Sequence, residues 1–425
     1  MKSKIISFAI IGLLVFSGVI SSQVNASFFL AQSNLLESNL DSLTDQIFDM
    51  KMMRLMRWGS HKAISACIIE NDSIVWSKSY GKTNFAGTNP ASNKTIYLVS
   101  STTKAITATA LLQLYEQGKF DLDEDVNNYL PFNLRNPKHP NVNITFRILL
   151  SHRASLYDHF LFSQEGRGDL FKDYLTTGLM DSPYPWIKEV LVPGSETYQK
   201  DYWLDYAPGE DVMYSNTGFL ILGYLLEIIS GQTIEEYCQE NIFKPLEMDD
   251  TSYHLEGLDK NRVIKPFFRV GGVFIPLKSY DVKGFAGTCG VRTTIEDLSH
   301  FLIAHMNNGT WKNISILNES TIKMMHNIQY FDNDGKNIFD YRYGLGWFET
   351  DQFGQTVEGH GGDNFGFLAA MMMNKTSKTG FIFLSAGSPP VLGIFKNPIS
   401  MMKAYIGEKI RGQLGKLILQ KAEQL

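Results

Sequence analysis

Ser101 and Lys104 are a pair of residues whose types and spacing could carry out chemistry. On a helix, residues three apart lie on one face, about a turn from each other. A lysine amine placed there can accept the serine proton and so activate the hydroxyl as a nucleophile. At a helix N-terminus, the backbone N–H of Ser101 can also stabilise an oxyanion, aided by the helix dipole. The pair therefore predicts acyl transfer by a serine nucleophile, provided that it lies at a helix start.

The spacing alone is weak, because it occurs at three other places in the chain: Ser79…Lys82, Ser320…Lys323 and Ser400…Lys403. The flanks of Ser101 are different. The extended apolar run 96–99 precedes it, and the small residues 105–108 follow it. A helix of small residues can be buried at the centre of a domain. We therefore expect Ser101 to begin a buried helix, and the other three matches to be coincidental.

A second candidate set is Tyr214-Ser215-Asn216, the one Tyr-x-Asn in a chain with 19 tyrosines. It follows the turn at 208–210 and precedes a predicted helix from Thr217. A tyrosine hydroxyl near a lysine ammonium can move protons to a leaving group or from water. The asparagine amide can hold both the lysine and a substrate carbonyl. The structural alternative for Tyr214 is a buried aromatic ring whose hydroxyl has one partner.

Together with His360-Gly361-Gly362, these two sets resemble the three motifs of the serine β-lactamase and penicillin-binding-protein superfamily. The resemblance is to the branch of class C β-lactamases, D-Ala-D-Ala carboxypeptidases, D-aminopeptidases and family VIII-type esterases. It covers residues 45–390, and further matching segments lie at 118–131, 144–152, 286–298 and 343–347.

The resemblance implies roles for individual residues. Ser101, Lys104 and Tyr214 would be catalytic, and Asn216 would orient the substrate together with His360, Gly361 and Gly362. The backbone N–H near Asp363 would be a second oxyanion donor. It implies no metal and no cofactor.

The third motif has a competitor, because Lys378-Thr379-Gly380 is the form found in many members of the superfamily. That tripeptide falls between two apolar runs, where lysine, threonine and glycine are ordinary hairpin residues. His360-Gly361-Gly362 instead precedes Gly366-Phe367 and is expected to begin a strand that borders the cleft. We therefore assign the third motif to His360. His152 is interpreted as a structural histidine at a helix end. The superfamily's "HTSGL" reads 152–156 here with an arginine and no glycine, which predicts an altered loop.

The elements that must position these residues can be read from hydrophobic patterning. Two hairpins are predicted, from 63–69 with 74–76 and from 366–373 with 381–385. Helices are predicted from Ser101 to Leu114 with Gly118 at the C-cap, 217–229 before Gly231, 295–306 after Thr293-Thr294, and 398–423. Strands at both ends with helices between them predict an α+β fold: an antiparallel sheet flanked by helices, with a mainly helical inserted region. The resemblance implies that this fold is β-lactamase/transpeptidase-like.

Composition excludes several classes of function. A formal net charge of -5 gives no basic surface, so nucleic acid is not an expected partner. The 3 cysteines form no CxxC pair, which argues against a zinc site or a disulfide framework. The aromatic stretch 160–210 is either a surface excursion packed on the core or a wall over a substrate cleft.

The N-terminus has the pattern of an export signal. Lys2 and Lys4 precede the apolar run 5–20, and small residues follow near Ala26. We expect a signal peptide or membrane anchor at 1–26, a lead-in segment at 27–44, a catalytic domain at 45–390, and a helical segment at 391–425 packing on the sheet. Membrane association through residues 5–20 is the alternative to secretion; both place the domain outside the cytoplasm.

The function expected from the sequence is an exported serine hydrolase that forms an acyl-enzyme on amide or ester bonds of a small-molecule or peptide substrate. A peptidase, a carboxypeptidase and a β-lactamase-like enzyme all fit this description. A small-acyl esterase is one alternative, since the same acyl-enzyme serves both reactions. A catalytically silent binding or sensor protein is another, although it would have no chemical need for Ser101, Lys104 and Tyr214 together.

Overall fold

The strands come from both halves of the chain. The computed structural model describes residues 45–158, 183–270, 273–282, 285–330, 341–352, 355–364, 366–387 and 412–422. In chain order the strands are β1 Ala63–Glu70, β2 Ser73–Gly81, β3 Tyr97–Leu98, β4 Phe267–Val270, β5 Val273–Pro276, β6 Arg292–Thr293, β7 Thr310–Trp311, β8 Ile314–Ser315, β9 Arg342–Tyr343, β10 Phe348–Gln352, β11 Gln355–Asn364, β12 Phe367–Asn374 and β13 Thr379–Ala386.

The helices lie mainly between the strands of the N-terminal and C-terminal parts. They are α1 Thr103–Glu116, α2 Phe146–Leu150, α3 Pro183–Leu191, α4 Asn216–Ser230, α5 Ile234–Cys238, α6 Ala286–Cys289, α7 Ile295–Met306 and α8 Glu319–His326. In the described part of the chain they are accompanied by the 3-10 turns Ser100–Thr102, Val126–Asn128 and Lys200–Tyr202 and by a π-helical segment, Gln239–Phe243.

The chain divides into two compact units, residues 1–52 and 53–425. Residues 45–52, the described part of the first unit, are helical. The second unit also contains helical residues at 53–58 and 412–422. The predicted signal or anchor at 1–26 and the lead-in at 27–44 lie outside the described residues, as do 159–182 and the 398–411 part of the predicted last helix.

Among the described residues, one sheet of seven strands has the order β2-β1-β13-β12-β11-β10-β9, and all its pairs are antiparallel. The N-terminal hairpin β1–β2 therefore pairs with the C-terminal hairpin β12–β13, with Ala63 opposite Ala386. Both predicted hairpins and the predicted α+β fold are confirmed. The central strands β1, β12 and β13 are apolar almost throughout because both of their faces are covered.

Helix α1 lies at the centre of the second unit. Its residues from Thr103 to Leu114 are all buried, so a sequence of small and apolar side chains suits it on every side. The predicted helix is confirmed with one correction: Ser101 lies in the 3-10 turn before α1. Gln117 is the C-cap residue, and Gly118 follows it in the left-handed conformation (φ 68°), so the glycine ends the helix as predicted.

Helix α6 crosses α4 closely and also lies against α1. A Cβ atom built on Gly287 would lie 2.9 Å from the Cα of Gly223, so these backbones can approach only because both residues are glycine. The hydroxyl of Thr107 in α1 donates to the carbonyl of Gly287 (2.8 Å). This contact sets the next carbonyl, that of Thr288, beside the first turn of α1.

Two predicted helix termini follow local capping rules. Thr294 caps α7 by accepting a hydrogen bond from the N–H of Asp297, as predicted. Helix α4 ends at Ser230 with Gly231 in the left-handed conformation.

In the described part of the aromatic stretch, Tyr202 and Trp203 are buried, and the indole N–H of Trp203 donates to the carbonyl of Leu191 (3.0 Å).

Within the parts of the chain that the structure describes, no single helix is long and apolar enough to cross a membrane. Helix α4 and the segment Ile234–Phe243 reach that length and composition only as a pair bent by 77°.

Candidate active site

Ser101 stands at the junction between an extended segment and α1. Val99 ends the segment, and its N–H donates to the carbonyl of Val291 (2.9 Å). Ser100 then adopts a positive φ of 54° and opens the 3-10 turn. Ser100 and Thr102 are buried, whereas Ser101 is partly exposed. The turn therefore leaves the side chain of Ser101 accessible at the N-terminal end of a buried helix, as the sequence predicted.

Lys104 is fully buried one turn further along, and its ammonium nitrogen has three oxygen partners. Nζ lies 3.0 Å from Oγ of Ser101, 2.7 Å from Oδ1 of Asn216 and 3.2 Å from the carbonyl oxygen of Thr288. It also lies 5.1 Å from the ring centroid of Tyr214. The structure thus brings together four of the residues singled out from the sequence, and Thr288 adds a ligand that the sequence analysis missed.

Tyr214 is held by aromatic neighbours. Its ring centroid is 4.5 Å from that of His152 and 6.3 Å from that of His360. His152 is buried, and its Nδ1 accepts a hydrogen bond from the N–H of Ser215 (3.1 Å). Burial, and secondarily the charges of Lys104 and His360, hold the pKa of His152 well below its usual value, so it is neutral. Its contacts match the structural role expected from the sequence.

Strand β11 forms the opposite wall. The hydroxyl of Thr102 donates to the carbonyl of His360 (3.4 Å), and a Cβ atom on Gly362 would overlap the carbonyl oxygen of Val99. Glycine therefore lets this strand approach the Ser101 turn. The sequence analysis expected His360-Gly361-Gly362 to begin a strand. This expectation is wrong, because the tripeptide lies in the second half of β11. His360 is buried and Asp363 is exposed.

The look-alike Lys378-Thr379-Gly380 lies elsewhere. Lys378 has a positive φ of 50° in the β12–β13 turn, and its carbonyl accepts from the N–H of Asn71 (2.9 Å). In the sheet, Gly362 is opposite Ala369, which is opposite Leu384. Lys378 is six residues along β13 from that level, about 20 Å at the rise of a β-strand. The structure therefore separates Lys378 from Ser101 and places β11 beside it.

Sequence analysis missed Asp158, which is buried beneath Tyr214-Ser215-Asn216. Its carboxylate accepts hydrogen bonds from the N–H of Asn216 (2.6 Å) and from Nδ2 of the same residue (2.9 Å). It also accepts from the N–H and hydroxyl of Thr217 (2.9 and 2.8 Å) and from the hydroxyl of Ser215 (3.0 Å). Asp158 thus binds the N-terminus of α4, where an anion is favoured.

In the described ranges, no group of three or more His, Cys, Asp or Glu side chains is arranged to hold a metal ion.

Comparison with known proteins identifies the family. The sequence profile of the beta-lactamase family matches residues 51–399. The chain belongs to the beta-lactamase family. This family lies within the superfamily of serine β-lactamases and penicillin-binding proteins, which are serine hydrolases, so the resemblance drawn from the sequence motifs is confirmed.

Relatives with curated names are distant. "Beta-lactamase-like protein 2" of Dictyostelium discoideum is 25% identical over 336 residues, covering 76% of this chain and 56% of its own length. The match thus spans little more than half of that relative. The "N-acetylmuramyl-L-alanine amidase" of Bacillus subtilis is 23% identical over 377 residues, covering 79% of this chain and 80% of its own length.

The fold also has counterparts among solved structures. A D-amino acid amidase from Ochrobactrum anthropi, solved with L-phenylalanine amide, superposes with a TM-score of 0.65 at 19% identity. The superposition covers 90% of this chain and 99% of that one. At such identity the comparison establishes the fold, and it confirms the predicted β-lactamase/transpeptidase-like architecture.

Proposed function

We propose that this beta-lactamase family chain hydrolyses amide bonds of small-molecule or peptide substrates through an acyl-enzyme on Ser101. The observation that carries the proposal is the set of three oxygen atoms around Nζ of Lys104. Contacts with Ser101, Asn216 and the carbonyl of Thr288 make this nitrogen a base aimed at the Ser101 hydroxyl.

The direction of the Lys104 lone pair towards Ser101 follows from which neighbouring atoms can donate and which can accept a hydrogen bond. A carbonyl oxygen, whether of an amide side chain or of the backbone, accepts hydrogen bonds and does not donate them. In the neutral amine, two N–H groups are therefore taken by Asn216 and Thr288, and the remaining tetrahedral position, the lone pair, faces Oγ of Ser101. Once Lys104 has taken the proton, the same position becomes a third N–H donor to Ser101. One arrangement thus serves both protonation states.

The reaction then has two halves. Oγ of Ser101 forms a bond to the substrate carbonyl carbon as its proton passes to Lys104, and the carbonyl oxygen becomes an oxyanion. The backbone N–H of Ser101, with one on β11 near Asp363, stabilises that oxyanion. Tyr214 transfers a proton to the leaving amine as the C–N bond breaks. Water then attacks the ester of Ser101 as the deprotonated Tyr214 takes a proton from it, and the acid leaves as Lys104 returns its proton to Oγ of Ser101. Asn216 and His360, with Gly361 and Gly362, align the substrate along β11.

We propose amides rather than esters as substrates because the names of two similar proteins refer to amides. The Bacillus subtilis relative is named an amidase, and the Ochrobactrum anthropi structure is of a D-amino acid amidase. An ester has a better leaving group, so the same site would also cleave small acyl esters at some rate. A substrate panel decides which bond is preferred.

The panel contains a D-amino-acid amide, a D-Ala-D-Ala peptide, nitrocefin and p-nitrophenyl butyrate, each tested with wild type and Ser101→Ala. Turnover of an amide that is lost in Ser101→Ala supports the proposal. Turnover of the ester alone makes the protein an esterase. A folded wild type that turns over no substrate and forms no covalent adduct with any of them is a binding or sensor protein.

We also propose that the catalytic domain works outside the cytoplasm. The support is the charged and apolar pattern at residues 1–26, which is typical of export signals. Expression of the full chain followed by fractionation and N-terminal mass analysis tests this. A mature protein that begins near Asn25 or Ala26 indicates a cleaved signal; the full-length chain in the membrane fraction indicates an anchor. The full-length chain in the cytoplasm contradicts the proposal.

A further inference from the structure

The two carboxylate oxygens of Asp158 accept hydrogen bonds from different groups. Oδ1 accepts hydrogen bonds from the hydroxyl of Ser215 and from the N–H and hydroxyl of Thr217. Oδ2 accepts from the backbone N–H and the side-chain Nδ2 of Asn216. The first set caps helix α4, as any acceptor at a helix N-terminus would. The second set reaches a side chain that contacts Lys104.

The side-chain amide of Asn216 lies between two groups of opposite hydrogen-bonding character. An ionised carboxylate can only accept hydrogen bonds, and a lysine ammonium can only donate them. Nδ2 of Asn216 must therefore face Asp158 (2.9 Å), and Oδ1 must face Lys104 (2.7 Å). The carboxylate does not tolerate the flipped amide. Lys104 could accept it only through the lone pair that must take the Ser101 proton, so Asp158 is the group that holds the orientation.

We propose that Asp158 is a positioning residue that holds the amide oxygen of Asn216 on Lys104. This inference rests on the proposed function, because it concerns the base that activates Ser101. With the carboxylate replaced by an amide, the group at position 158 can donate as well as accept. Asn216 can then flip, and its NH2 group would donate into the lone pair of Lys104 that must take the Ser101 proton.

The chain offers a matched control in Asp297, another buried carboxylate at a helix N-terminus. It accepts from the N–H of Asp250 (2.8 Å), the hydroxyl of Thr251 (2.8 Å) and the hydroxyl of Thr294 (3.0 Å). In the described part of the chain, none of these three residues shares a hydrogen bond with Lys104 or Ser101. Asp297→Asn therefore measures the cost of weakening a buried cap without disturbing Asn216.

The test measures the rate at which a fluorophosphonate phosphonylates Ser101, which serves here as the measure of the acylation step, on protein shown to be folded by circular dichroism. We expect Asp158→Asn and Asn216→Ala each to slow acylation about 100-fold, the usual effect of a small misplacement of catalytic groups. The double variant should be no slower than Asn216→Ala alone, because the carboxylate acts through that amide. Asp158→Glu, which keeps an acceptor-only group, should recover part of the rate. Asp297→Asn should acylate like wild type.

Thr217→Val keeps the test decisive if Asp158→Asn does not fold. It removes a partner of Oδ1 and leaves Oδ2 on Asn216, so stability should fall while the acylation rate stays within a few-fold of wild type. Multiplicative losses in the double variant, or a loss in Thr217→Val equal to that in Asn216→Ala, overturn the role of Asp158. A wild type that forms no adduct at Ser101 contradicts the proposed function itself, which is a separate result.

Discussion

Nζ of Lys104 lies 3.0 Å from Oγ of Ser101 while the lysine side chain is completely buried. A buried lysine needs partners for its polar hydrogens, and every partner here is an oxygen within the candidate site. The fold therefore maintains this contact by tertiary packing, through α4 and α6, and not by helical spacing alone.

The Ser-x-x-Lys pairs give an internal comparison. Lys104→Met should reduce Ser101 acylation by roughly 10²–10⁴-fold, the usual contribution of a general base. Lys323→Met is the matched control: the side chain of Lys323 is 68% exposed and its ammonium pairs with Glu319 at 2.7 Å. An exposed ion pair of this kind contributes roughly 0–1 kcal/mol to the free energy of unfolding, and it lies outside the candidate active site. Stopped-flow acylation measures both variants, and similar rates for them would contradict a base role for Lys104.

Tyr214→Phe should separate the hydroxyl of Tyr214 from its ring. The ring can keep its contacts with His152 and Lys104, so stability should change little. Loss of the proton carrier should slow turnover of an amide by roughly 10²-fold or more. Tyr129→Phe is the control, because its hydroxyl bonds Glu124 (2.7 Å) away from the site. Steady-state kinetics on the best amide of the panel gives the answer, and full activity of Tyr214→Phe would remove it from the mechanism.

Local sequence signals were sufficient for the elements that are defined by neighbours in the chain. The hairpins, the cap at Thr294 and the glycine after α4 follow from turn and capping chemistry within a few residues. The Ser101 turn was harder, because Ser100 has a positive φ and lies against β11 at Gly362, a contact between residues far apart in the chain. The order of the sheet, which joins both ends of the chain, also depends on tertiary contacts.

Asp158 could not have been chosen from the sequence on its own. It is one of 44 acidic residues, and its hydrogen bonds with Asn216 span 58 positions. The only local hint is that it follows the segment 152–156, which already resembled a motif of the superfamily. The contact between the carbonyl of Thr288 and Lys104 could not be predicted either, since any residue type supplies a backbone carbonyl. The turn position of Lys378 was predictable because lysine, threonine and glycine are ordinary hairpin residues.

Gly362→Ala tests the contact between β11 and the nucleophile turn. The new Cβ would overlap the carbonyl of Val99 and approach Cβ of Ser100 (3.1 Å), so the backbone must shift. We expect a loss of about 1–3 kcal/mol in the free energy of unfolding, the usual cost of overpacking, together with slower acylation. Gly218→Ala in α4 is the control, since its Cβ would meet Cδ2 of Leu149 at an ordinary 3.7 Å. Thermal and denaturant unfolding compare the two; equal stability would contradict the close approach.

Acid should destabilise the fold through buried neutral histidines. Burial lowers the pKa of His61 from 6.5 to about 4, and its Nδ1 bonds the carbonyl of Gly387 (2.8 Å). Because the folded pKa lies below the unfolded one, the unfolded chain binds the extra proton. Stability is therefore full above pH 6.5 and is lost as the pH falls towards 4, by about 3 kcal/mol for this group.

Unfolding measured by denaturant between pH 7 and pH 4.5 tests this prediction. In His61→Gln the free energy of unfolding should fall less steeply as the pH is lowered. Part of the dependence should remain, because burial also lowers the pKa of His152 and of His305. An unchanged slope in His61→Gln would show that His61 takes no part in it.

Covalent labelling of Ser101 tests the central claim most directly. Wild-type protein, incubated with a fluorophosphonate and analysed by intact-mass spectrometry, should gain one phosphonyl group, and peptide mapping should place it on Ser101. Ser101→Ala should remain unlabelled under the same conditions, whereas Ser320→Ala, at the look-alike pair, should label like wild type. Equal labelling of wild type and Ser101→Ala would contradict the account.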